Sequence, residues 1–181
     1  MKDFMILVGA GQIGMAIARR TGYGKKIVVG DKSPDNAGTV CKILNEAGFD
    51  AMPVEMDLAS RDSILQLIAE AHKQGEIAML VNAAGVSPSQ APIEVILKVD
   101  LYGTAVLLEE MGRVIRPGGA GVTISSQSGH HGRRGNKLPA FVTQNANKLF
   151  FKVPQSLYQS WEPFLFDIVE DLRQPHYTGK Q

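Results

Sequence analysis

Cysteine is nearly missing from this sequence. Cys41 stands alone, which excludes an internal disulfide and fits a reducing compartment. An excess of charge is missing too: 19 Lys and Arg face 18 Asp and Glu, for a formal net charge of +1. Without a bias of either sign there is no electrostatic case for nucleic acid or an anionic membrane as a partner. No apolar run is long enough to span a bilayer. The run from Phe4 to Val8 is too short for a signal-peptide core, lacks a small-residue cleavage site and leads straight into glycines, so it is expected as a strand. A cytoplasmic location is the default expectation. Repeats and low-complexity tracts are absent as well. What is present, 181 residues with 44% hydrophobic and 20% charged, is the balance of an ordinary soluble domain able to bury a core.

Short apolar runs alternate with amphipathic stretches. Met5–Val8, Ile27–Val29, Ala51–Met56, Ala78–Val81 and Gly121–Ile124 read as five strands, several of them buried on both faces. Between them the pattern predicts helices over Met15–Arg20, Asn36–Ala47, Ser60–Gln74 and Ile93–Ile115. Ser60 suits an N-cap and Gly48 a C-terminal stop, and Pro117-Gly118-Gly119 ends the long fourth helix. Strict alternation through residue 126 predicts an α/β fold, a Rossmann-type doubly wound parallel sheet with helices on both faces. Residues 1–126 form the expected dinucleotide-binding core. Residues 127–181 form an irregular C-terminal segment, an insertion or substrate-side region in which the fold is expected to be incomplete. Within that segment 127–136 reads as a loop and Phe164–Leu172 as a short helix, with no further buried strand. His130, His131, Arg133 and Arg134 read as a solvated basic loop, and without carboxylate or cysteine partners the histidines make no metal site.

The chemistry-bearing residues lie at the strand ends. Gly9-Ala10-Gly11-Gln12-Ile13-Gly14 follows the first strand and opens a helix. Glycine there allows a tight turn, close approach of backbone to a pyrophosphate and close helix–strand packing. The helix N-terminus adds N–H groups and a positive dipole end. Asp31 ends the second strand about 20 residues on, where a carboxylate accepts from a ribose diol. An acid there disfavours a 2′-phosphate, so the expected cofactor is NAD, with the adjacent Lys32 leaving room for dual use. Asp57, just past the third strand, reads equally well as an acceptor for the adenine amino group or as a loop residue near the Ser60 cap. Asn82-Ala83-Ala84-Gly85 ends the fourth strand beside the expected switch point, where small residues let a cofactor lie against the backbone; an ordinary strand-to-loop turn is the plainer alternative.

Together these residues resemble the short-chain dehydrogenase/reductase family. The resemblance rests on Val8-Gly9-Ala10-Gly11-Gln12-Ile13-Gly14, Asp31, Asp57-Leu58, Asn82-Ala83-Ala84-Gly85, the segment Val99 to Thr104, and Ile124-Ser125-Ser126. It implies that Asp57 and Leu58 contact adenine, that Asn82, Ala83, Ala84 and Gly85 back the cofactor, and that Ser126 orients a substrate carbonyl. It also implies a small alcohol or carbonyl substrate and a homo-oligomer paired through the helix containing Ile93 to Ile115. The glycine turn is one residue shorter than the family's usual form, and Asp100 stands where the family commonly has Asn. The family's general acid/base tyrosine is followed four residues later by lysine, a spacing that places both on one helical face. No such pair occurs here. The nearest substitute is Tyr177 with Lys180, so the resemblance carries proton exchange to Tyr177 and its tuning to Lys180. The sequence reads as truncated or frame-disrupted near Tyr177.

Three functions are therefore expected in turn. The first is an NAD(H)-dependent oxidoreductase acting on an alcohol/carbonyl pair. The second is an inert or impaired nucleotide-binding relative. The third is an S-adenosylmethionine methyltransferase, which also uses a Gly-rich turn with acids after the second and third strands. That fold usually places an acidic residue just before the glycines, and Ile6-Leu7-Val8 occupies that stretch here.

Overall fold

A computed structural model describes residues 3–73 and 75–125, together with the backbone of Phe150 and Phe151. Five strands run parallel: β1 (Asp3–Val8), β2 (Lys26–Asp31), β3 (Asp50–Glu55), β4 (Glu76–Asn82) and β5 (Ile115–Thr123). The sheet order is β3-β2-β1-β4-β5, with a two-residue β6 (Phe150–Phe151) antiparallel on β5. The expected doubly wound sheet is thus present. Order reverses between β1 and β4, and the register that pairs Val8 with both Gly30 and Asn82 brings three strand ends level at that crevice.

Alternation along β1 explains why both faces are covered. Phe4, Ile6 and Val8 join Val28, Leu80 and the apolar faces of α3 (Arg61–His72) and α5 (Thr104–Val114) in one core. Met5 and Leu7 join Ile27, Val29, Val81 and the faces of α1 (Gln12–Thr21) and α2 (Pro34–Glu46) in the other. Successive side chains point to opposite faces, so a continuous apolar run needs a helix layer on each side. Cys41 lies in the second core, where burial pushes its thiol up to about 11; it is a small apolar filler rather than a nucleophile.

Several boundaries move for identifiable reasons. Helix α1 starts at Gln12 rather than beside Gly14, because Gly11 is its N-cap and its carbonyl already accepts from Met15 N at 3.0 Å. Helix α2 starts at Pro34 because Ser33 Oγ accepts from Asn36 N at 3.3 Å and proline suits the first turn. The single helix expected over Ile93–Ile115 is instead α4 (Ile93–Ile96), a π-helical segment (Leu97–Gly103) and α5. The widened turn falls where neighbours hold the helix from outside: Gly103 presses against the Leu58 carbonyl, and Asp100 engages the loop after β4. The fifth strand begins at Ile115, six residues before the expected start. Between the pairs Ile77–Ile115 and Met79–Ala120 the chain bulges through Pro117 and Gly118, the latter at φ +78°. β6 was not expected either. The reading of Phe164–Leu172 as a helix and of 127–136 as a loop lies outside the described residues.

Across α3 and α5, Arg61 pairs with Glu109 (3.3 Å) and with Glu110, and Arg113 contacts both acids. Glu110 is buried, and these two guanidinium groups satisfy it. The cluster fixes the start of α3 and so the loop before it. No helix among the described residues is long and apolar enough to cross a membrane.

Leu67 is fully buried, against Gly30 of β2. Truncation to Ala leaves a cavity between α3 and the sheet and should cost about 2–5 kcal/mol. The expected reading is a lower urea midpoint with an unchanged slope.

Candidate functional site

The glycine turn owes its shape to what surrounds each glycine. Gly9 has φ +92°, and a Cβ on it would lie 2.6 Å from Ala84 N and 2.8 Å from the Ala83 carbonyl carbon. Gly14 is as tightly placed, 2.7 Å from the Gly9 carbonyl and 2.9 Å from Leu7 Cδ1 by the same measure. Gly11 differs: nothing lies within 4 Å of its Cβ position. Two glycines therefore serve packing, and the third leaves backbone open to a ligand. Helix α1 opens behind it with no side-chain cap and no acid in its first turn. Gln12 and Ile13 are exposed there, Ile13 at 60%. Uncapped first-turn N–H groups beside open glycine backbone fit a pyrophosphate.

Asp31 ties this turn to the end of β2. Its Oδ2 accepts from Ala10 N at 2.7 Å and its Oδ1 accepts from Ser33 N at 2.8 Å. Each oxygen retains capacity for a further donor. The carboxylate is thus held by main chain on both sides, at the level of the turn.

Asp57 lies past β3 and is engaged through its carboxylate and its main chain. Its Oδ2 is 2.8 Å from Lys32 Nζ, its Oδ1 accepts from Ala59 N at 2.9 Å, and its own N–H donates to Ser63 Oγ at 2.9 Å. The Lys32 hydrogen bond is the main reason its carboxyl sits below the ordinary value; burial pushes the other way, and the Ala59 N–H and the Lys32 charge add further lowering. Lys32, Glu55, Asp57, Ser63 and Gln66 line a shallow cavity of about 340 Å³. Leu58 turns inward instead: its side chain is 4% exposed and belongs to the α3–α5 core. Any contact with adenine is left to its main chain.

The end of β4 closes the other side of the crevice. Asn82 is buried; its Nδ2 donates to Thr104 Oγ1 at 3.3 Å, and its main-chain carbonyl accepts from Ile124 N at 2.8 Å. Ala83 N donates to the Val8 carbonyl at 2.8 Å. Ala83 and Ala84 therefore lie directly over the glycine turn. Gly85 is exposed, and beyond it Val86 N donates to Asp100 Oδ1 at 2.9 Å.

The structure thus gathers Gly9, Gly11, Gly14, Asp31, Ala83 and Ala84 at one crevice, with Asp57 at the β3 end of the same sheet edge. Ser126, Tyr177 and Lys180 lie outside the described residues, as does all but two residues of the segment 127–181. The Lys32–Asp57 pair and the Asp100 clasp were not foreseen. Lys32 follows Asp31 directly and could have been paired with the next strand-end acid. Asp100 and Val86 are joined across a loop, with no periodicity to connect them.

Stabilisation from the Lys32–Asp57 pair is present above the unfolded pKa of Asp57, near 3.8, and is lost as pH falls through the lower folded value. With side chains 77% and 35% exposed, screening keeps that contribution small. A carboxyl-carbon NMR titration should place the Asp57 midpoint below 3.8, and Lys32→Ala should raise it. A wild-type midpoint at or above that value would show that the pair does not form in solution.

A family model described as short chain dehydrogenase matches residues 3–138. The chain is 36% identical over 126 residues to the short-chain dehydrogenase/reductase bsc3 of Alternaria brassicicola, covering 70% of this chain and 46% of that protein. It is 28% identical over 134 residues to a cis-4-hydroxycyclohexanecarboxylate dehydrogenase of Sinomonas cyclohexanicum, covering 68% and 53%. The chain therefore spans about half the length of these curated relatives. Among solved structures, a double mutant of a Serratia marcescens short-chain dehydrogenase/reductase superposes with TM-score 0.64 at 22% identity, over 90% of this chain and 69% of that one. A short-chain dehydrogenase/reductase from Burkholderia xenovorans gives 0.63 at 24% identity, over 71% and 55%. These two show the fold, and the family match sets the methyltransferase reading aside. With its strand-end motifs in order and the family model matched across most of its length, this chain belongs to the short-chain dehydrogenase/reductase family of oxidoreductases.

Proposed function

We propose that the chain binds NAD(H) and acts as a short-chain oxidoreductase on a small alcohol/carbonyl pair. One observation carries the reading: the Asp31 carboxylate, held by Ala10 N and Ser33 N, stands at the level of the open Gly11 backbone and the uncapped start of α1. A carboxylate fixed there accepts from a ribose diol and repels a 2′-phosphate, which favours NAD over NADP. Gly9, Gly11, Gln12, Ile13 and Gly14 would hold the pyrophosphate by main-chain N–H groups. Asp57 and the main chain of Leu58 would meet adenine, and Asn82, Ala83, Ala84 and Gly85 would back the cofactor. When bound, the nicotinamide supplies hydride transfer. Ser126 donates to the substrate oxygen, Tyr177 exchanges the proton at that oxygen, and Lys180 tunes Tyr177. In the same reading the protein works in the cytoplasm and pairs with a second copy through the face of α4 and α5.

Nucleotide binding without turnover is a second reading. It is favoured by one observation: within these 181 residues no tyrosine stands four positions before a lysine. The two readings share the cofactor site and differ only in chemistry.

Gly11→Ala separates folding from binding. Its φ of −89° suits alanine and the Cβ position is open, so the substitution should change stability by less than about 1 kcal/mol. In a calorimetric titration it should weaken NADH binding about tenfold or more, through lost main-chain approach to the phosphates. Wild-type protein that binds no NADH would overturn the proposal. Where NADH binds, an assay over secondary alcohols and ketones decides between the readings. Turnover abolished by Tyr177→Phe supports the enzyme, and binding with no turnover on any of them supports the inert relative.

A further inference from the structure

Within the shallow cavity beyond Asp31, the lining residues carry two acids, Glu55 and Asp57, and one cation, Lys32. Asp31 itself adjoins this cavity: it pairs with Glu55 across the β2–β3 register, and its main-chain carbonyl accepts from Met56 N at 2.9 Å. Among the described residues, Lys32 is therefore the lining group with charge of the sign that a 2′-phosphate would need. Its ammonium is spent elsewhere, 2.8 Å from Asp57 Oδ2. Asp57 is in turn fixed by Ala59 N and by its own N–H on Ser63 Oγ, so its position does not depend on the lysine. Ser63 lies in the first turn of α3, whose start is fixed by Arg61 on Glu109 and Glu110. The acid is thus the anchored partner, and the lysine side chain, 77% exposed, is held at its tip by that acid.

We propose that Asp57 acts as a selector at the adenosine end of the site, holding the Lys32 ammonium in an ion pair and so withholding it from a 2′-phosphate. This rests on the reading of the site as one for NAD(H). It assigns Asp57 a role toward Lys32 that is separate from any contact with adenine. It also explains how a lysine directly after Asp31 remains compatible with discrimination against phosphorylated ribose. Asp31 supplies the repulsion, and the pair removes the attraction that would offset it. The effect is bounded by the exposure of Lys32, because a solvated ion pair is weak and salt-screened.

The test uses the full chain with two probes that reach only the adenosine end, 5′-AMP and adenosine 2′,5′-bisphosphate, titrated by calorimetry at low salt. Asp57→Asn keeps shape and an acceptor oxygen while removing the charge. It should move the ratio of the two dissociation constants about fivefold toward the bisphosphate. Lys32→Ala in the Asp57→Asn background should reverse that shift, whereas Lys32→Ala alone should leave the wild-type ratio nearly unchanged. That asymmetry is a double-mutant cycle with a non-zero coupling term. If Lys32→Ala alone weakens the bisphosphate as much as it does in the Asp57→Asn background, the lysine already reaches the phosphate and the selector role is overturned. An unchanged ratio in Asp57→Asn, with 5′-AMP still bound by wild type, overturns the selector alone. Failure of wild type to bind either probe overturns the cofactor reading and the selector with it. Thermal melts of each variant identify one that has not folded, and Asp57→Ser then replaces Asp57→Asn in the same cycle.

Discussion

At the crevice between β1 and β4, two stretches of main chain come closer than any side chain would permit. Gly9 rests on the Ala83–Ala84 backbone, and a single added carbon would fall 2.6 Å from Ala84 N. The same residue donates its N–H to the Gly30 carbonyl at 2.8 Å, while Ala83 donates to the Val8 carbonyl at 2.8 Å. Three strand ends are thus laced together by hydrogen bonds that continue past the ladders. Because Gly9 curls away with positive φ, the chain can turn above β1 instead of running on into the space over β4. The start of α1 follows from that turn, and so does the open backbone at Gly11. A larger residue at Gly9 or Gly14 would part the helix from the sheet.

Charge is distributed around this contact with a clear division of labour. Neither the glycine turn nor the first turn of α1 contributes an acid, so the first-turn N–H groups face an anion beside the Ala10–Asp31 contact. The acids begin one strand away. Asp31 is held by two main-chain donors, Glu55 is its neighbour on β3, and Asp57 lies just beyond. Moving outward along the sheet edge, the environment changes from anion-accepting to anion-repelling. A dinucleotide with phosphates at its centre and a ribose diol toward one end matches that order. Among the described residues of that edge Lys32 runs against the gradient, and it is paired with Asp57 at 2.8 Å.

Much of this was legible in the sequence, because its determinants are local. The run Met5–Val8 is apolar at every position, as a strand covered on both faces requires. Glycine at 9, 11 and 14 and the acid at 31 keep fixed distances along one chain, so the spacing carries the geometry. What escaped was set by contacts between distant segments. The π-helical turn at Leu97–Gly103 keeps an amphipathic pattern that an α-helix would show equally well, and its position depends on Leu58 and Val86. The bulge that brings Ile115 into the sheet is a response to β4, since the proline and glycines after it read locally as a plain stop. Leu58 follows an acid at a strand end and looks like a site residue, yet its side chain fills the core beneath Gly103. For such residues the sequence names the neighbourhood and packing decides the direction.

Asp100 shows how a departure from family pattern can keep one role and change another. The resemblance places Asn at this position, whereas this chain has a carboxylate. Its structural task is to accept from Val86 N at 2.9 Å and so clasp the loop after β4. An amide oxygen accepts that bond as well as a carboxylate oxygen does, so the clasp survives the exchange. The amide's two N–H donors do not. A carboxylate brings oxygens alone, with no N–H groups to offer a neighbour. The loop geometry is insensitive to that exchange, because the clasp on Val86 N needs an acceptor and nothing more.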